Sequence, residues 1–398
     1  MTADAGALDA ADPLAAHVDR FERAGDVRAY LDGNSLGRPV VGAADDIARF
    51  VREEWGGRLI RGWDEGWMEL GQTVGDDLGR VCLGAAAAQT TIGDSTSVLL
   101  YKVLRGALDL RADRDEIIVS RDDFPTDRYI VEGIAAERGF ALRWVDTPAA
   151  VEPTQRTALV LLSHVAYRSG AMADLPAITS RAHEAGALVV WDLCHSAGVV
   201  PLELDAHGVD FAVGCTYKYL NGGPGSPAFA YVAARHLERF RQPIHGWLGS
   251  ARPFEMGQGY EPAPGVRRVL SGTPPVIGTL AMRAMIALLD DVGLDAVREK
   301  SVALTTFAIE LCDELVPDAV LVTPRDPALR GSHVTIDHPA FPAIVPRLWE
   351  QGVIPDFRRP AGIRLGLSPL STSFAEVELG VRAIARELAR HTPTDPEE

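Results

Sequence analysis

The sequence predicts an α/β protein: a mostly parallel sheet flanked by helices, with a smaller α+β domain at its C-terminal end. Three observations carry this. Short β-branched or Leu-rich runs bounded by Gly, Asp or Pro recur through the middle of the chain, and segments of helical periodicity separate them. Most of the runs are near-continuously apolar rather than alternating, as strands covered on both faces require. Beyond residue 275 the order changes, with two long helical patterns followed by short strand patterns.

In chain order, Gly93-Asp-Ser-Thr-Ser97 opens a helical stretch over 98–108. Strands are expected at 117–120, 142–145, 157–163, 187–191 and 211–213, with helices at 126–138 and 175–185 between them. Residues 242–275 are dense in Pro, Gly and aromatic side chains, too irregular for a helix and too long for an idle connection, so they read as a functional loop. Helices at 276–289 and 294–315, strands at 319–322, 333–336 and 362–367, and a helix at 374–390 complete the pattern, and 392–398 reads as a disordered tail. The expected division is an N-terminal segment, 1–50, packing on the small domain, a large domain over 51–275, and the small α+β domain over 276–398.

Composition excludes several classes. With 47% apolar and 24% charged residues the chain is an ordinary globular protein. Its formal net charge of −16 argues against nucleic-acid or anionic-membrane partners, because a polyanion is repelled without a basic patch. The arginine-bearing stretches 52–61 and 358–364 are short and mixed with other residue types, so they make no such patch. Cys82, Cys194, Cys215 and Cys312 show no CxxC spacing and read as reduced thiols of a cytosol. A start without a basic or apolar leader, and no apolar run of bilayer length, make a soluble, cytoplasmic protein the expectation.

The chemistry centres on Lys218, 26 positions after Asp192. Asp192 follows an apolar strand, and Lys218 stands among Cys215, Tyr217 and Tyr219 before a Gly/Pro-rich turn, a poor setting for an idle ammonium group. In parallel sheets, ligands bind outside the carboxyl ends of the strands, where Ser163, Asp192 and Lys218 all fall. A lysine there can trap the aldehyde of pyridoxal 5'-phosphate (PLP), and a carboxylate can hold its pyridine nitrogen protonated. Ser95 and Thr96 at a helix start make an anion site for a phosphate, or a plain N-cap. Phe124 either stacks on a planar ring or packs in the core, and Asp127 is equally a helix-start carboxylate. Asp192 alone is also readable as half of an ion pair, and His195 as a satisfied core histidine. No third ligand stands at zinc spacing, and G-x-x-x-x-G-K-[ST] and G-x-G-x-x-G are both absent from the sequence. Together the fragments supply a phosphate cup, a stacking aromatic, a pyridinium partner and an aldehyde-trapping lysine.

These residues carry a resemblance to the kynureninase family, PLP-dependent hydrolases of fold type I within the class V aminotransferase superfamily. It covers nearly the whole chain, through Tyr30-Leu-Asp-Gly-Asn-Ser-Leu-Gly37, Phe124-Pro-Thr-Asp127, Trp191-Asp-Leu-Cys-His-Ser-Ala-Gly198, Tyr217-Lys-Tyr-Leu-Asn-Gly-Gly-Pro-Gly225, His245-Gly-Trp247 and Arg364. The resemblance implies a seven-stranded, mostly parallel sheet and hydrolytic Cβ–Cγ cleavage of kynurenine. It implies Ser95 and Thr96 as phosphate ligands, Phe124 as the stacking ring, and Asp127, Ser163, Asp192 and His195 as cofactor contacts. Lys218 is then the Schiff-base lysine, and Tyr217 a phosphate-bound tyrosine that relays a proton to the β-carbon. Trp247 and Thr273 match residues that reach the phosphate from a second subunit, which implies a homodimer with active sites at the subunit interface. Arg364 matches the arginine that grips the α-carboxylate of a small amino-acid substrate, with Asn34 and Ser35 lining the same end. Trp63, where the animal enzymes carry histidine, and Gly272-Thr273, where they carry Ser-Asn, resemble the bacterial type, which prefers L-kynurenine to its 3-hydroxy form. The rivals are another class V activity, a cysteine desulfurase or aminotransferase, and a PLP-free binding protein. The desulfurase needs a mobile nucleophilic cysteine, and its candidate, Cys312, falls within a helical pattern.

Overall fold

A computed structural model of the chain describes residues 3–391, and the tail expected at 392–398 lies outside them. Its strands are β1 (Ala29–Leu31), β2 (Thr90–Gly93), β3 (Glu116–Ser120), β4 (Ala141–Val145), β5 (Thr157–Ser163), β6 (Leu188–Asp192), β7 (Phe211–Gly214), β8 (Ala228–Val232), β9 (Val320–Leu321), β10 (His333–Asp337), β11 (Val353–Arg358) and β12 (Gly362–Gly366). Two compact units divide the chain, a large one of residues 42–167 and 173–294 and a small one of 1–41, 168–172 and 295–398.

The large unit holds a seven-stranded sheet in the order β2-β8-β7-β6-β5-β3-β4. The strands from β7 to β4 are parallel; β8 runs antiparallel to both β7 and β2, so β2 points the same way as β7. Every residue of β5 and β6 is buried, as strands with helices on both faces must be. The helix Pro125–Arg138 places Pro in its first turn and ends on Gly139, whose φ of 77° allows its N–H to close on Ala135 O. Both β2 and β8 lie outside the strands the periodicity suggested. Thr90-Thr-Ile-Gly93 is too short to stand out from a turn, and β8 follows a Gly/Pro-rich stretch.

The small unit holds a five-stranded sheet in the order β1-β11-β12-β10-β9, antiparallel except for β1 with β11. Its core joins that sheet to the helices Leu294–Leu315, Phe341–Glu350 and Phe374–His391. The N-terminal helix Ala5–Ala11 belongs here: the Asp9 carboxylate accepts from Phe374 N (2.8 Å) and Ala375 N (3.0 Å), supplying the start of the last helix with an acceptor from the far end of the chain.

The unit boundaries fall at 41/42 and 294/295, instead of the expected 50/51 and 275/276. The helix Val276–Val292 stays with the large unit because its apolar face is buried there and Asp290 receives both outer nitrogens of Arg80, at 2.7 and 2.9 Å. No helix among the described residues is long and apolar enough to cross a membrane.

Candidate active site

Strand direction brings the cofactor candidates to one edge of the large sheet. The carboxyl ends of β2, β3, β5, β6 and β7 lead into Ser95, Asp123, Ser163, Asp192 and Lys218, and Ser163 and Asp192 are register partners across β5 and β6. The loop bearing Lys218 is pinned on both sides. Cys215 N–H donates to Cys194 Sγ (3.2 Å), Thr216 Oγ1 donates to Pro227 O, 2.6 Å away, and Asn221, at φ 51°, turns the chain so that its N–H reaches Lys218 O (3.0 Å). Lys218 Nζ lies 3.2 Å from His195 Nε2 and 5.9 Å from the Tyr217 ring centroid. Burial raises the Tyr217 phenol above its ordinary value, which keeps it a neutral donor.

Three buried carboxyls cluster at this edge of the sheet, and Asp127 feels the charge of Lys218. Asp192 Oδ1 accepts from Cys194 N (2.8 Å). Asp123 accepts from Ser163 N (2.7 Å) and Ser120 N (3.1 Å), yet burial still pushes its carboxyl up to about 7. Asp127 is raised well above the carboxylate range, first by burial and then by the charges of Asp192 and Asp123. Its buried Oδ2 meets no N–H donor, with the Asp192 carboxyl as its neighbour. Such an acceptor is costly unless a guest supplies an N–H, and a pyridinium nitrogen brings both a donor and a compensating charge.

The other cofactor candidates fit the same guest. Ser95 caps the 14-residue helix Thr96–Asp109, accepting from Val98 N (3.4 Å), so two hydroxyls and a helix N-terminus converge where a phosphate would sit. Asp94, at φ 47°, is tied to the fully buried Lys102 ammonium (2.5 Å), which also donates to Val269 O (3.1 Å) and fixes this turn. Phe124 is 36% exposed, with Tyr167 edge-on at 5.4 Å, so a face is available for stacking that a core phenylalanine would have buried. Trp63 forms a separate cluster, edge-to-face with Trp67 (5.4 Å) and Trp247 (5.5 Å), while Thr273 is exposed.

The substrate candidates Asn34, Ser35 and Arg364 gather within the small unit. Arg364 is buried in β12, and Asp356 of β11 is its direct cross-strand partner. Asp356 Oδ2 lies 2.7 Å from Arg364 Nη2 and 2.6 Å from Arg358 Nε, and Arg364 Nη2 donates to Ser35 Oγ (2.8 Å). Burial, with Asp356 as the second cause, pushes the Asp32 carboxyl from 3.8 up to about 6.

Sequence reasoning missed Asp123, Tyr167, Lys102, Asp32 and Asp356. The Asp122-Asp123 doublet after a strand was a usable signal for the first. Asp356 was hidden because Pro355 made its strand look like a loop.

A family model described as the kynureninase C-terminal domain matches residues 297–384. The chain is 42% identical over 400 residues to the kynureninase of Pseudomonas fluorescens, covering 98% of this chain and 96% of that one. It is 44% identical over 394 residues to the kynureninase of Deinococcus radiodurans, covering 96% and 95%. Among solved structures, an apo cysteine desulfurase from Thermococcus onnurineus NA1 matches with a TM-score of 0.79 at 17% identity, over 91% of this chain and 95% of that one. A C-DES mutant with glycine covalently linked to its PLP cofactor matches at 0.79 and 20%, over 90% and 96%. At those identities the structural matches speak to fold alone.

Proposed function

Because this chain belongs to the kynureninase family, we propose that it hydrolyses the Cβ–Cγ bond of L-kynurenine, giving anthranilate and L-alanine, with PLP as cofactor. The observation that carries this is Lys218 Nζ, 3.2 Å from His195 Nε2, with the buried Asp127 carboxyl, beside Asp192, meeting no N–H donor. When bound, the cofactor supplies an aldehyde that captures the substrate amine and a protonated ring that accepts electrons from the carbons where bonds break.

The chain's own residues supply binding and proton transfer. Lys218 Nζ anchors the cofactor and, once released, takes the proton from the substrate α-carbon, with His195 Nε2 in reach to orient it. Asp192 and Asp127 hold the ring-nitrogen proton, Phe124 stacks on the ring, and Ser95, Thr96 and Tyr217 hold the phosphate. The neutral Tyr217 phenol delivers the proton to the β-carbon as the bond to the hydrated γ-carbonyl breaks. Arg364 takes the α-carboxylate as a planar, permanently charged donor, with Ser35 and Asn34 at the same end.

Trp247 and Thr273 serve the site of a second subunit, and the working form is a homodimer in the cytoplasm. Solvent-facing Trp55, Ile60 and Met256, at 50, 75 and 82% exposure, support this, since apolar side chains so exposed are suited to an interface. An indole at position 63 suits an unsubstituted aryl ring over a 3-hydroxylated one. The desulfurase alternative is not favoured: Cys312 is buried inside the helix Leu294–Leu315, and burial pushes its thiol up to about 12.

The test is to load the purified protein with PLP, supply L-kynurenine, and follow anthranilate fluorescence together with alanine release. Lys218→Ala is expected to lose at least about 10³-fold in kcat and the borohydride-sensitive visible band, with its circular dichroism unchanged. Undiminished turnover in that variant, or no aryl acid from the wild type, overturns the reading.

A further inference from the structure

We propose that Asn34 is a positioning residue that locks the Arg364 guanidinium in its binding orientation, instead of touching the substrate itself. The inference rests on the reading of Arg364 as the carboxylate-gripping residue. Both ends of the buried Asn34 amide are taken up within the protein, which leaves neither for a ligand. With its amide oriented by its neighbours, its carbonyl oxygen accepts from Arg364 Nε (2.8 Å) and its nitrogen donates to Asp32 Oδ1 (3.3 Å). In this orientation each end of the amide meets a complementary group.

The backbone makes room for this contact. Gly366 stands two residues after Arg364 on the same face of β12, and a Cβ there would lie 1.9 Å from the end of the Asn34 amide that faces Asp32. Only glycine leaves space for the amide beside the guanidinium. Asp32, which forms a bridge with Gly366, then fixes the other end of the amide.

The geometry shows what the lock accomplishes. A guanidinium is planar, so two contacts at separated nitrogens define both its position and its plane. Asn34 holds Nε; Ser35 Oγ, at 2.8 Å, and Asp356 Oδ2, at 2.7 Å, hold Nη2. A neutral amide is needed at position 34, because a carboxylate would be a third negative charge beside Asp32 and Asp356 and would compete with an incoming substrate carboxylate. Arg364 therefore meets the substrate as a pre-oriented donor rather than a side chain that must be ordered on binding.

The experiment is a double-mutant cycle on the PLP-loaded enzyme with Asn34→Ala, Arg364→Gln and the double variant, measuring KM and kcat for L-kynurenine. Asn34→Ala is expected to raise KM about 10-fold with kcat changed less than about 3-fold, and the double variant to be no worse than Arg364→Gln alone. If Asn34→Ala does not fold, Asn34→Asp keeps the shape, and its KM defect is expected to deepen as pH rises and the new carboxyl ionises. Additive effects in the double variant, or in either Asn34 variant a loss confined to kcat, overturn the positioning role. An unchanged KM in Arg364→Gln overturns the carboxylate reading and the inference with it, an outcome separate from failure of the Asn34 variants alone.

Discussion

The two groups of functional residues are built on opposite electrostatic plans. In the large unit, Asp123, Asp127 and Asp192 cluster, one lysine bears on Asp127, and its Oδ2 meets no N–H donor. In the small unit, two carboxylates, Asp32 and Asp356, are matched by two guanidiniums, Arg358 and Arg364, and a buried amide closes the network. The first arrangement is charge-unbalanced and so is completed by a guest that brings a proton and a positive charge. The second has as many guanidiniums as carboxyl groups and, on the proposed reading, holds a binding arginine ready. The difference between the two regions is therefore one of charge: carboxyls beside a single lysine in the first, carboxylates in ion pairs with guanidiniums in the second.

If the small unit is balanced, removing one of its charges should cost most. Asp356→Ala leaves Arg358 and the buried Arg364 without their shared carboxylate and is expected to destabilise the protein by about 3 kcal/mol, read as a lowered denaturant midpoint at unchanged m-value. A loss below about 1 kcal/mol would mean the pairs behave as surface ion pairs, and the contrast between the two regions would fail.

The same contrast explains what the sequence revealed. Residues at parallel strand ends are legible because strand direction alone carries them to one edge, so Ser163, Asp192 and Lys218 could be assigned together before any coordinates. Asp356 acquires meaning only through its register opposite Arg364, and a strand containing Pro355 gives no periodic signal from which that register follows. Asn34 was legible as a site residue, but its role was not: whether an amide faces a ligand or an arginine depends on burial, and on the missing side chain at Gly366. The unit boundaries were misplaced for a related reason, since the helix Val276–Val292 follows the irregular loop in sequence while its buried face and the Arg80 pair keep it with the large unit.

A smaller effect tests the balance by pH. The Asp32 carboxyl titrates at about 6 in the folded protein against an ordinary 3.8, so folding favours its protonated form. Its contribution to stability is therefore fully present below about pH 4 and is lost as pH rises through about 6. Asp32→Asn removes that loss and is expected to gain on the wild type by roughly 1–2 kcal/mol between pH 4 and 7, discounted for the part of the side chain that reaches solvent. Stability curves of the two proteins that run parallel across this window would show that Asp32 is not held against its charge.

In the large unit the opposite substitution should be tolerated. Asp127 is raised by burial and by two neighbouring carboxylates, so its ionised form is a burden on the cofactor-free fold at neutral pH. Asp127→Asn removes that charge at almost constant shape and is expected to leave the cofactor-free protein as stable as the wild type, or more stable by on the order of 1 kcal/mol. Because the group's folded value is raised, the gain appears as pH rises toward neutrality and vanishes in acid. If Asp127 accepts from the ring nitrogen as proposed, the same change removes one acceptor, and PLP, titrated by its absorbance, is expected to bind more weakly. A variant that is clearly less stable without PLP would mean that Asp127 already has its partner within the protein, and that the imbalance which distinguishes this site from the arginine clamp does not exist.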